Sequence, residues 1–117
     1  MMIEILFAST LLTFVVTDEY EVESCSDEKF ELLSAIIPRW PMYTERFSGL
    51  GFVDIRVMVD DSGKVAETVI TDSMPFRLFD RESLRAVRTW QFNRSSYKER
   101  CFDIRFKFDF DKFNEPE

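Results

Sequence analysis

Near the end of the chain Phe102, Ile104, Phe106, Phe108 and Phe110 alternate with Cys101, Asp103, Arg105, Lys107 and Asp109. A period of two sends neighbouring side chains to opposite faces, so this stretch predicts a strand with one core face. Phe52–Val59 carries the same signal, with Val53, Ile55, Val57 and Val59 set against Asp54, Arg56 and Met58. Asp60-Asp61-Ser62-Gly63 then reads as a hairpin turn in which Gly63 supplies positive φ. The partner strand, Lys64–Asp72, alternates imperfectly at Val65, Val69 and Ile70, which suits a bulge.

Helical spacing marks other stretches. Over Asp80–Trp90 a core stripe of Ser83, Leu84, Val87 and Trp90 faces away from Arg81, Arg85 and Arg88. Phe30, Leu33 and Ile37 recur at helical intervals, so a short helix is expected over Asp27–Ile36, capped by Ser26 and stopped by Pro38. A second short helix is expected over Met42–Phe47, after Pro41 and before Gly49 and Gly51. Asp18–Ser26 is acidic and reads as a linker. The order predicts an α+β domain with a small antiparallel sheet covered by helices on one face.

Ile5–Thr17 is uncharged, apolar and too short to span a bilayer, which needs about 20 residues. It matches the apolar centre of an export signal, although Glu4 precedes it and no A-x-A site follows. The other readings are a strand or helix of the folded domain and an uncleaved membrane anchor. Of the 117 residues, 22 are acidic and 15 basic, for a net charge of −7. The excess sits in residues 1–33, with eight acids and the single base Lys29. The rest is neutral and lacks the basic surface that nucleic-acid binding needs.

Histidine is absent and there are three glycines. That excludes Ser-His-Asp and Cys-His catalysis, the H-E-x-x-H zinc site and glycine-rich phosphate loops. The acidic pair Asp60-Asp61 is explained by its turn. No catalytic, cofactor or metal site is expected. Cys25 and Cys101 are too far apart for a C-x-x-C motif. They are either two free thiols or, in an oxidising compartment, a disulfide tying the acidic segment to the sheet. In the second case Cys101 faces away from the phenylalanine stripe, and the acidic segment reaches the uncovered sheet face or its edge.

One set of residues carries a resemblance. Trp40-Pro41 is followed by Gly51-x-Val53-x-Ile55-x-Val57-x-Val59 and by Ser62-Gly63-Lys64-Val65. Ser73, Asp80, Leu84, Ala86-Val87 and Trp90-x-Phe92 complete it. This pattern resembles the TonB C-terminal domain family over about residues 38–110. Trp40 replaces the usual tyrosine, Arg94 stands where a proline is usual, and Ile37 stands where the energy transducer carries glutamine near its partner-peptide site. With no histidine and four prolines, the chain lacks the transducer's anchor motif and proline-rich spacer, and it resembles a stand-alone periplasmic member.

The resemblance implies two helices on a three-stranded antiparallel sheet, with the last strand at the edge. It implies a non-enzymatic module that takes up an extended peptide from an envelope protein of the TonB-dependent receptor type. The peptide would add to Cys101–Phe110, with Asp103, Arg105 and Lys107 tuning the choice and Phe102, Ile104 and Phe106 holding the strand from below. The alternative is an assembly protein that homodimerises through the same edge. The expected organisation is an export signal over residues 1–17, an acidic linker with a short helix over 18–37 and the domain over 38–113.

Overall fold

The computed structural model describes residues 12–41, 44 and 46–113. The elements in chain order are β1 (Phe14–Val16), β2 (Tyr20–Ser24), β3 (Leu32–Ser34), β4 (Leu50–Val59), β5 (Val65–Met74), α1 (Asp80–Val87), β6 (Gln91–Phe92), β7 (Arg100–Asp109) and α2 (Phe110–Phe113). The main sheet is antiparallel with five strands in the order β1-β2-β7-β4-β5, and β3 pairs with β6 in a separate two-stranded ribbon.

The alternation produces the expected two-faced sheet. Val53, Ile55, Val57 and Val59 of β4 and Phe102, Ile104, Phe106 and Phe108 of β7 all lie on the buried face. Phe79, Ala86, Val87, Trp90 and Phe92 cover them, joined by Phe30 and Val22 from the N-terminal segment. Phe79 stacks on Phe108 with ring centroids 3.6 Å apart, and Phe92 stacks on Phe102 at 4.4 Å. β4 and β5 pair with register shifts at Asp54/Ile55 and Met58/Val59, which is the irregularity that β5's broken alternation predicts.

Gly63 closes the β4–β5 turn at φ 92, and a Cβ there would collide with the Phe92 backbone carbonyl. Asp60 completes the turn. Its Oδ1 accepts from the Ser62 hydroxyl at 2.7 Å and from the Ser62 and Lys64 amides at 3.0 Å each. The predicted helix Asp80–Trp90 forms over Asp80–Val87. Trp90 lies beyond it, buried, with its indole N–H donating to the Ile36 carbonyl at 2.9 Å.

Several expectations are corrected. The sheet has five strands rather than three, because β1 and β2 extend it beyond β7. For the same reason β7 is an interior strand and not an edge. The expected helix over Asp27–Ile36 is extended: Asp27 has φ 58, Phe30 bridges to Leu12, and Leu32–Ser34 is β3. Of its three apolar positions only Phe30 is buried, at 1% exposure, against the rings of Phe92 and Phe102. Leu33 and Ile37 stay exposed, so no amphipathic face exists to reward a helix. Residues 18–37, expected as a linker, therefore supply two strands, and the apolar run expected as an export signal ends in β1. The second expected helix, Met42–Phe47, includes Met42, Tyr43 and Glu45, which lie outside the described residues. Phe110, expected in the last strand, opens α2 with its ring in the core.

Candidate strand-addition site on β7

β7 has ten residues and is paired along both sides. On one side β4 matches it from Arg100 to Asp109. On the other, β2 covers the centre in the register Tyr20↔Phe106, Glu21↔Arg105, Val22↔Ile104, Glu23↔Asp103 and Ser24↔Phe102. The Lys107 amide donates to the Glu19 carbonyl at 2.9 Å and continues this pairing by one step. Phe108 and Asp109 lie beyond the end of β2.

Alternation sorts the side chains. Phe102, Ile104 and Phe106 point into the core, each at most 1% exposed. They hold β7 from below, with Val22 at 1% beside them. Asp103, Arg105 and Lys107 point to the opposite face, where each has a partner in the same chain. Arg56 makes two hydrogen bonds to Asp103, at 2.8 and 3.0 Å. Arg105 makes two to Asp54, at 2.7 and 2.8 Å. Lys107 Nζ lies 3.2 Å from Glu21 Oε2. The hydrogen bonds that Arg56 donates to Asp103 raise its pKa, and those that Arg105 donates to Asp54 do the same. Arg105 also lies over the Phe52 ring at 4.2 Å. These charges form a ladder across β4, β7 and β2 and are not aimed at an open edge.

The disulfide closes one end of the site. Cys25 and Cys101 are bonded, with Cα atoms 5.3 Å apart, and the Cys25 amide donates to the Cys101 carbonyl at 3.0 Å. Cys101 faces away from the phenylalanine stripe and the acidic segment arrives at its edge, which was the geometry expected of a bonded pair. Asp103 lies close to both sulfurs, and the three form a group of metal-ligating types among the described residues. Disulfide sulfurs carry no thiolate to give a metal.

The other end of the site opens into a concavity of ≈ 960 Å³ whose lining includes Ile37, Trp40, Leu50, Phe108, Lys112 and Phe113. Trp40 stacks flat on Phe113 at 3.9 Å and meets Phe79, Phe108 and Phe110 edge-on. Pro41 follows it, half-buried. The remaining motif residues are structural supports. A Cβ on Gly51 would lie 2.7 Å from the Met74 carbonyl oxygen. The Ser73 hydroxyl accepts from the Arg77 amide at 3.3 Å. Asp80 sits in the first turn of α1, where a negative charge favours the helix dipole, and Leu84 packs on the core.

A family model described as the Gram-negative bacterial TonB protein C-terminal matches residues 38–111. This chain belongs to the TonB C-terminal domain family. Among solved structures, the solution NMR structure of the Pseudomonas aeruginosa TonB C-terminal domain is similar with a TM-score of 0.51 and 23% identity. That match covers 69% of this chain and 84% of the other, and it supports the α+β fold. No curated protein matches the sequence significantly. The TonB match contains β4, β5, α1, β6 and β7 and begins after β3, so the β1–β2 hairpin lies outside it.

The residues that sequence reasoning missed are Tyr20, Glu21, Val22 and Ser24. Their signal was present. Tyr20, Val22 and Ser24 alternate with Glu21 and Glu23, which is a short strand pattern inside an acidic stretch. Arg100 was also missed. It is 3% exposed and donates to the carbonyls of Asn93 at 2.6 Å and Asp60 at 3.3 Å. Burial lowers its pKa, opposed by the nearby Glu28 and Asp60.

Proposed function

We propose that this protein is a non-enzymatic, TonB-like binding module of the bacterial envelope that takes up an extended peptide of an outer-membrane transport protein along β7. Membership of the TonB C-terminal domain family supports a partner of the TonB-dependent receptor type. One structural observation carries the choice of site: the outer side of β7 already accepts an extended strand, β2, over five residue pairs. Backbone donors and acceptors supply the affinity in such an addition, and side chains on alternate positions supply the selection. Asp103, Arg105 and Lys107 would tune that selection through the charges now paired with Arg56, Asp54 and Glu21. Exposed Ile37, Leu50 and Phe113 offer apolar contact where the peptide passes the end of β2.

Export to the periplasm accords with the disulfide. No helix among the described residues is long and apolar enough to cross a membrane, which says nothing of β-barrel spans. Cleavage of a signal before Asp18 would remove β1 and leave β2 with its disulfide. The domain proper would span 38–113. The test is a titration of the isotope-labelled chain, oxidised and reduced, with synthetic peptides from TonB-dependent receptors. Shifts concentrated in β7 and around Trp40 are expected. Absence of binding in both redox states would overturn this reading.

A further inference from the structure

We infer that β2 is a built-in competitor for the β7 site, and that the Cys25–Cys101 disulfide is the latch that keeps it there. This rests on the proposed peptide site but goes beyond it, because it assigns β2 a regulatory role of its own.

Three observations carry it. First, β2 occupies the outer side of β7 in an antiparallel register. Any peptide adding to β7 at Phe102–Phe106 must use the same backbone groups. Second, the hairpin lies outside the residues that match the TonB family model. To the core built by β4, β5, α1 and β7 the hairpin adds Val22, with Val15 and Tyr20 packed against it in part. Third, beyond its backbone pairing with β7 the hairpin buries few apolar side chains. Val22 is its one fully buried apolar residue, while Phe14 and Val16 remain 59% and 60% exposed. Tyr20 meets Trp90 edge-on, and Glu21 pairs with Lys107 on an exposed surface. The bond at Cys25 fixes the other end one residue past β2.

A strand held this way has two states, docked and released. Opening the latch takes two electrons and two protons from a dithiol. The S–S bond breaks, Cys25 and Cys101 become thiols, and the dithiol becomes a disulfide. Once released, β2 competes only through its tether, and the apparent affinity of an incoming strand rises with the released fraction.

The experiment compares three forms of the whole chain: oxidised, reduced with dithiothreitol, and Cys25→Ser. Circular dichroism confirms that each is folded, and the reduced parent serves if the variant does not fold. Two probes are titrated: a synthetic peptide with the sequence of residues 18–24, and a peptide from a TonB-dependent receptor. Amide exchange is followed in parallel. The expected result is that the residue 18–24 peptide binds at least roughly tenfold more tightly to the opened forms. Exchange should accelerate at Glu21–Ser24 while β4 and β5 stay protected. Equal affinity in all forms, or unchanged protection of β2 after opening, would overturn the latch. If the 18–24 peptide behaves as expected and no receptor peptide binds any form, the latch stands and the receptor reading falls. If a receptor peptide binds all forms equally, the receptor reading stands and the latch falls.

Discussion

Asp60 shows how one carboxylate can fix a turn. It receives the Ser62 hydroxyl and two backbone amides, and these bonds lower its pKa from the usual 3.8. A depressed carboxylate pKa adds stability that is full above the unfolded value and is lost as pH falls through the folded one. Asp60→Asn should therefore be less stable than the parent at neutral pH. The gap should narrow as pH drops below about 4, as measured by urea unfolding across pH. Gly63 tests the same turn sterically. At φ 92, with the Phe92 carbonyl against its Cα, it leaves no room for a side chain. Gly63→Ala should cost at least roughly 1–3 kcal/mol, and an unchanged denaturation midpoint would contradict the turn geometry.

At the scale of elements, the legible parts were those whose alternation ran long. β4 and β7, at ten residues each, and the stripe of α1 followed directly from the sequence. Asp27–Ile36 misled because Phe30, Leu33 and Ile37 fit a helical period by spacing alone. The fold satisfies Phe30 through a ring cluster with Phe92 and Phe102, a long-range demand that local spacing does not encode. Glu19–Ser24 misled differently, since its acidity masked a short alternation. Glu21 finds Lys107 on the same face and Val22 fills the core beside Ile104. Truncation tests that packing: Val22→Ala should destabilise the chain by about 1–2 kcal/mol, the transfer cost of the methyl groups removed. It should also raise amide exchange in β2 before any change in β4. A mutation without effect would mean that β2 rests on the sheet only through its backbone.

At the scale of the molecule, the family motif located the domain, because its glycines, Trp40 and Trp90 sit where backbone crowding and aromatic packing demand them. The candidate site was half legible. Phe102, Ile104 and Phe106 lie where the alternation put them, and Cys25 meets Cys101. What escaped was the occupant of the edge, since strand neighbours far apart in sequence are set by topology rather than by local pattern. The disulfide joins residues 76 apart. Cys25→Ser should therefore lower unfolding free energy by up to roughly 4–5 kcal/mol in the chain-entropy model, measured by urea titration against the oxidised parent. A loss below about 1 kcal/mol would mean that the bond constrains the unfolded chain far less than its loop length implies.

The central claim is that β7 is an interior strand whose outer side is filled by the chain's own β2. Cross-strand nuclear Overhauser contacts in the oxidised protein test it most directly. Contacts are predicted between Glu21 and Arg105, Val22 and Ile104, and Glu23 and Asp103, with slow exchange of the amides between them. A β7 without those contacts, whose outward amides exchange at the rate of an open edge, would contradict it.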